Sequence, residues 1–309
     1  MIKRGRCALA LKGFEGFFKA GEIARGARRF AASLVESGVS VFELCERVED
    51  YIRRMGGEPA FPCNVCINDV AAHYTAKPGD TLEIPEGSVV KVDLGVQVDG
   101  YPVDTAVTVV LDDRLTFLKE AAEEALRRAL KTIGPGVNVS EVGRVVLETA
   151  KSYGLKPIRN LSGHEVARYN LHAGLSIPNV PSYGGKFKPN RVYAVEPFMT
   201  TSEARGLVVE AGAPTIYRCI SYKRVRDRYA DMLLKKLWFK FRGLPFTERW
   251  FRRMGLKPEV VEAWETVKKL KMVRGYKVLK EASGGLVSQA EESILVTEDG
   301  CIELTGFLE

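Results

Sequence analysis

The chain has 309 residues, 46% apolar and 28% charged, enough to bury a sizeable core as one large domain or one domain carrying an insertion. No run approaches the ~20 apolar residues of a membrane span, and the apolar patch at residues 7–11, behind Lys3, Arg4 and Arg6, is too short for a secretory signal. The expectation is a cytoplasmic protein without a membrane partner; its six cysteines (Cys7, Cys45, Cys63, Cys66, Cys219, Cys301) are too scattered for a disulfide framework.

In chain order, Ala20, Ala24, Ala27, Ala31 and Leu34 recur at helical spacing and predict a helix over residues 17–35. A second helix lies in GVSVFELCERVEDYIRRMGGEP (residues 38–59), opened by Ser40 with Glu43 three residues on, an N-cap and its partner. The pair then returns. Residues 115–133 are again helical, and GVNVSEVGRVVLETAKSYGLKP (136–157) matches 38–59 at a fixed offset of 98, with Asn138 and Glu141 in the capping positions. With a few residues of slip, EGSVVKVD ending at Asp93 aligns with PNRVYAVE ending at Glu196, and Ala71-Ala72-His73 with Leu171-His172-Ala173. Two such halves packed about a pseudo-twofold axis predict an α+β sandwich, with acids and imidazoles from each half meeting in one cleft.

The stretch KVDLGVQVDGYPVDTAVTV (91–109) holds two of those acids. Residues 89–98 and 103–110 read as strands around Asp99-Gly100, a strong hairpin-turn signal. Asp93 and Asp104 then fall nearly opposite, about two residues off a simple register, which predicts a bulge. They either face solvent on an edge hairpin or, set among Val92, Leu94, Val103 and Val107, hold a proton or cations.

Cys63-Asn64-Val65-Cys66 is a lone CxxC, a weak zinc or redox signal beside the simpler reading of half-buried cysteines. From Cys219 to Lys280 the chain carries 18 Lys and Arg against 6 Asp and Glu, and all three tryptophans (Trp238, Trp250, Trp264) lie there. That change of composition predicts a separately packed basic insertion, with helices over 222–241 and 258–272. After Gly284-Gly285, residues 293–296 and 301–304 read as strands that rejoin the main sheet.

The three histidines are His73, His164 and His172. An imidazole together with Asp93, Asp104, Glu196 and Glu291, all at or near strand ends, suits Mn²⁺, Fe²⁺, Co²⁺ or Zn²⁺ rather than a thiolate zinc site. Four carboxylates carry more charge than one divalent ion offsets; two ions would balance it and supply a nucleophile usable near neutral pH, which is metal-assisted hydrolysis.

These motifs, in this order, resemble the type 2, archaeal-like methionine aminopeptidases of the pita-bread metallopeptidase family. The resemblance runs from about Phe14 through FFKAGEIARGARR, GGEPAFPCNVCINDVAAHYT, VDLGVQVDGYPVDTAVTV, NLSGHEVARYNLHAGLSIPN, AVEPF and the final strands. It implies a pita-bread catalytic domain over 14–218 and 284–309, an N-terminal extension over 1–13 and a helical insertion over 219–283. It implies that Asp93, Asp104, His164, Glu196 and Glu291 hold two divalent ions (Co, Mn, Fe or Zn). His73 and His172 then act on the substrate, and Phe61, Leu171 and Phe198 form the pocket for the methionine side chain. A metal-bound hydroxide, assisted by Glu196, attacks the first peptide bond of a nascent polypeptide N-terminus and releases methionine when the second residue is small. A monomer is expected, with the ribosome as a partner through the basic insertion. One motif departs from the family pattern: Gln289-Ala290-Glu291-Glu292 keeps the acid but lacks the usual aromatic and the following His, which puts support of the metal shell in question. Two rivals are a proline-specific peptidase of the same fold, whose glycine-rich histidine segment and large N-terminal domain are missing, and a non-catalytic RNA-binding relative, which should have lost ligands.

Overall fold

The computed structural model describes residues 13–307. The predicted extension over 1–13, save Gly13, lies outside the described residues. Helix α1 (Glu15–Ala32) and helix α2 (Val41–Arg54) precede strands β1 (Glu58–Ile67), β2 (Val70–Ala72), β3 (Val89–Val98) and β4 (Tyr101–Val110). The second half repeats the plan with α3 (Thr116–Thr132) and α4 (Val139–Ser152), then β5 (Lys156–Pro157), β6 (Ser162–Val166), β7 (Ser176–Pro178), β8 (Arg191–Val195) and β9 (Phe198–Thr200). Helices α2 and α4 are both 14 residues long and start 98 residues apart, so the repeat in sequence is a repeat in structure. Ser40 caps α2 by accepting from the Glu43 N–H. Asn138 caps α4 one residue earlier than expected, accepting from Ser140 N–H at 2.9 Å, while Glu141 pairs with Arg144.

Each half buries its own apolar cluster. Ala20, Ala24, Ala27 and Ala31 of α1 pack with Val92, Leu94 and Val96 of β3; Ala121, Ala125 and Leu126 of α3 pack with Tyr193 and Val195 of β8. The small residues on α1 and α3 let each helix lie close on its sheet.

The β3–β4 ladder is regular from Val89↔Val110 to Val98↔Tyr101, so the predicted bulge between Asp93 and Asp104 is absent. Asp99 (φ 52°) and Gly100 (φ 84°) both take left-handed backbone, the two-residue turn that matches strand twist and needs no extra residue. Asp93 stands opposite Ala106 and Asp104 opposite Gly95, making the acids diagonal neighbours on one face. The irregularities lie instead on the other edge of β3, where β1 carries Pro59 and Pro62.

Strand β10 (Val208–Cys219) leads to helix α5 (Arg228–Phe241), a 3₁₀ turn (Glu248–Met254) and the short helices α6 (Pro258–Glu262) and α7 (Trp264–Lys269). These pack a third cluster that includes Leu233, Leu237, Phe246, Trp250 and Trp264. The expected helical insertion over 219–283 therefore ends early, because Val273–Glu281 is strand β11, paired with β10 and β2. The helix predicted over 258–272 is divided into α6 and α7, the second ending at Lys269. The chain closes with β12 (Val287–Gln289), β13 (Glu292–Val296) and β14 (Cys301–Glu303); β13 lies between β14 and β8 as expected. No helix of the described residues is long and apolar enough to cross a membrane.

Arg249 fastens the inserted segment to the first half. Its side chain is fully buried, pairs with Glu46 and with Glu49 at 2.7 Å, and donates to the Ala76 carbonyl. Glu49, also fully buried, takes a further bond from Trp250 Nε1 at 2.6 Å and one from Cys63 N–H at 3.1 Å. Removing one partner of a buried pair strands the other charge, so Arg249→Leu should cost roughly 3–5 kcal/mol in urea unfolding. Arg249→Leu with Glu49→Gln, which removes the stranded charge and keeps an acceptor for Trp250 Nε1 and the Cys63 N–H, should recover part of it; a double variant as weak as the single one would show that packing, not charge, is what Arg249 supplies.

Candidate metal centre

Asp93 from β3, Asp104 from β4, His164 from β6, Glu196 just past β8 and Glu291 between β12 and β13 all line one cavity of about 210 Å³. Asp104, His164 and Glu291 each offer a ligand atom within 4.8 Å of the others. His164 Nε2 lies 3.6 Å from Asp104 Oδ2 and 3.7 Å from Glu196 Oε1. Asp93 joins them as the diagonal neighbour of Asp104, and its charge acts on Asp104, Glu196 and Glu291 alike. All five predicted ligands are brought together.

Hydroxyl groups place Asp104 and Glu291. Ser293 Oγ accepts from the Asp104 N–H at 2.8 Å and donates to the Asp104 carbonyl at 2.9 Å, and Thr105 Oγ1 donates to the Glu291 carbonyl at 2.9 Å. Thr108 Oγ1 donates to the Gln289 carbonyl, and Gln289 Nε2 donates to Glu291 Oε2 at 3.3 Å.

Burial raises all four carboxyls, Asp93 to about 7, and the charges of neighbouring acids add to the rise at Asp104, Glu196 and Glu291. Burial also lowers the imidazoles, His164 to about 3 and His172, which keeps surface open to solvent, to about 4. Neutral imidazole and crowded acids cannot compensate one another. Asp93 Oδ1 and Asp104 Oδ1 are buried without hydrogen-bond partners. A donor set of neutral nitrogen and several anionic oxygens, two of them unpartnered, fits divalent cations of the harder or borderline kind.

The predicted substrate residues frame the same space. Phe61 and Leu171 pack together as a small apolar cluster, and Phe198 lines the cavity from another cluster. Gly95, opposite both Phe61 and Asp104, must be glycine: a Cβ there would sit 2.3 Å from the Phe61 ring. His172 lies 4.3 Å from His164, ring to ring. His73 holds a left-handed backbone (φ 65°), unusual for a residue with a side chain, and its Nδ1 is 3.3 Å from the Lys277 carbonyl.

Sequence reasoning missed Tyr276, which lines the cavity and contacts both substrate histidines at 5.6 and 6.4 Å. Strand alternation in residues 273–281 is the signal that could have found it. It missed Asn64 too, a polar residue inside an otherwise apolar strand. Cys63 and Cys66 are buried in β1; burial pushes Cys66 up to about 12, leaving an inert thiol.

Glu292 does not replace the family's His as a neighbour of the metal shell. Its buried carboxylate takes backbone N–H groups from Thr305 (2.6 Å) and Phe307 (2.6 Å) and shares that of Leu304 (3.2 Å) with the Ser293 carbonyl (2.8 Å), holding the segment after β14. An imidazole cannot accept all three. Glu292→His should therefore destabilise the fold by about 1–3 kcal/mol for each N–H left buried and unpaired. Denaturant midpoints equal to wild type would show that these groups find other acceptors.

Residues 15–226 match the model of metallopeptidase family M24. The methionine aminopeptidase of Methanocaldococcus jannaschii is 42% identical over 299 residues, which cover 96% of this chain and 99% of that protein. Among solved structures, a thermophilic Arx1 superposes with a TM-score of 0.78 at 17% identity, covering 94% of this chain and 89% of its own. The methionine aminopeptidase of Thermotoga maritima superposes at 0.66 with 23% identity, covering 93% and 94%. These structures share the duplicated pita-bread fold that the sequence predicted, and by its family match and its close relatives the chain belongs to metallopeptidase family M24, among the methionine aminopeptidases.

Proposed function

We propose that this protein removes the N-terminal methionine from nascent polypeptides whose second residue is small, using two divalent ions held by Asp93, Asp104, His164, Glu196 and Glu291. The observation that carries the reading is the joining, in one cavity, of this donor set with an apolar wall of Phe61, Leu171 and Phe198. At about 210 Å³ the cavity is smaller than the ~300–1,000 Å³ of sites for drug-sized ligands, which suits a single side chain. The bound ions supply Lewis acidity and a nucleophile at neutral pH.

The chain's own groups do the rest. The Lys277 carbonyl can only accept, so His73 carries its proton on Nδ1 and presents Nε2 as an acceptor, suited to the N–H of the scissile amide. His172, across the cavity, donates to the carbonyl oxygen as charge develops there. Glu196 accepts a proton from the attacking water and returns it to the departing amine.

The test is metal content beside kcat/KM on Met-Ala-Ser, with Ala-Ala-Ser as control. Asp104→Asn and His164→Ala should lose metal and activity together, with partial recovery of His164→Ala at excess metal. His172→Ala and His73→Ala should keep the metal and lose roughly 10²–10³-fold in kcat/KM. Metal loss in either of these two would overturn the division between ligands and substrate-facing histidines.

A ribosomal RNA partner, and with it action in the cytoplasm where nascent chains emerge, is the reading that the charge of the basic segment supports. On α5, Met232 and Phe239 are 46% and 59% exposed beside exposed Lys235 and Lys240, an arrangement that offers charge for phosphates and an aromatic face for bases. Lys236 is tied to the Met254 carbonyl and contributes less. Ribosome affinity should fall steeply with salt, and Lys235→Ala with Lys240→Ala should flatten that slope without changing tripeptide cleavage. Unaltered ribosome binding by the double variant would remove this surface from the reading.

A further inference from the structure

The β10–β11 ladder separates two environments. Tyr217 and Cys219 turn one face toward the cluster of the inserted segment, whereas Ile216 and its partner Tyr276 turn the other face into the cavity. Side chains alternate along a strand, so Arg218 and its partner Arg274 stand on the cavity face too, about 7 Å further along. Exposure rises in that direction: Ile216 is buried, Arg218 half-buried and Arg274 exposed. The two arginines therefore stand at the rim of the cavity. Arg218 is close to the groups that face the substrate: its charge adds to burial and to His73 in holding His172 low, and it lies against the Tyr276 hydroxyl. Among the described residues neither arginine is in an ion pair.

We propose that Arg218, with Arg274 beside it, selects for a carboxylate carried by the third residue of the substrate, an inference that rests on the aminopeptidase reading above. With the first side chain in the apolar pocket and the first carbonyl at His172, the rest of the substrate leaves by the open side of the cavity, where His172 is exposed. In an extended chain the first and third residues lie about 7 Å apart with their side chains on the same side. That matches the step from the Ile216–Tyr276 pair, beside the scissile bond, to the Arg218–Arg274 pair at the rim. A guanidinium has five N–H groups and can offer a carboxylate two in parallel, so its contact with Tyr276 leaves donors to spare. The favoured substrates are N-termini that read methionine, a small residue, then Asp or Glu. The chain-end carboxylate of a free tripeptide carries the same chemistry on the same residue.

The experiment measures kcat/KM of the metal-loaded protein on Met-Ala-Asp-amide against Met-Ala-Asn-amide, and on Met-Ala-Asn against its amide. The first pair reads a side-chain carboxylate and the second the chain end. The wild type should prefer the acid by about three- to fivefold, the upper range for a partly exposed ion pair. Arg218→Met, which keeps an unbranched stem, should bring the ratio close to one, and Arg218→Glu should invert it. A preference in either pair that Arg218→Met abolishes supports the proposal and tells which carboxylate is read. No preference in the wild type, or one that Arg218→Met retains, overturns it. Should Arg218→Met fail to fold, ratios in Arg218→Gln equal to wild type overturn it and reduced ratios support it. Failure of the wild type to cleave any of the three peptides would overturn the aminopeptidase reading instead.

Discussion

Three hydroxyl groups hold the two halves of this protein in register. Ser293 bonds both backbone groups of Asp104, Thr105 bonds the carbonyl of Glu291, and Thr108 bonds both backbone groups of Gln289, its Oγ1 accepting from the Gln289 N–H at 2.9 Å. They stand where a continuous strand ladder between β4 and the β12–β13 segment would otherwise run; the backbone pairing there is an isolated bridge between Ala106 and Glu291. Two acids from opposite halves can face each other at ligand distance only if something rigid sets their backbones. Side-chain hydroxyls do so while leaving both carboxylates free to point into the cavity.

The centre built this way is costly as a fold. Crowded carboxyls in a poorly solvated place repel one another, and among the described residues no arginine or lysine pairs with them; the buried Lys91 spends its ammonium on the Asn68 carbonyl at 2.7 Å. The stabilisation lies around the cavity, in the alanine-lined contacts of α1 and α3 and in the buried arginines. Arg28, for example, donates to Thr105, Thr305 and the Gly306 carbonyl and so ties α1 to the chain end behind the centre. Local discord surrounded by consistent packing is the usual mark of a site shaped for chemistry.

Much of this was legible in the sequence because periodicity and repetition are local properties. The 98-residue offset marks the matching starts of α2 and α4, and the Asp99-Gly100 turn fixes the pairing that sets Asp93 beside Asp104. The misreadings arose where long-range contacts decide. A bulge in β3–β4 is needed only if the two acids stand squarely opposite, whereas diagonal neighbours suffice. Residues 273–281 were taken into the helical segment because their charge matches it, yet their partner strand lies some sixty residues earlier. Glu292 was compared with a family His by position, while its physical role is set by three backbone N–H groups that arrive from the chain end. Tyr276 carries no motif; its place in the cavity comes only from where β11 runs.

The inserted segment leaves and rejoins the sheet at a single rung, where the Ile220 N–H donates to the Met272 carbonyl at 2.9 Å. Loop-closure entropy grows slowly with length, so the ladder tolerates either a long excursion or a tight turn at that rung. What it does not tolerate is independent loss of the Arg249 anchor, because Glu49 lies in the first half, inside α2, and is wholly enclosed. A lineage that shortened the excursion while keeping the acid would inherit a buried charge left with only the longer, 3.7 Å contact to Arg53. The identity of one residue in an N-terminal helix and the presence of a segment two hundred residues later should therefore vary together, and this covariation has nothing to do with catalysis.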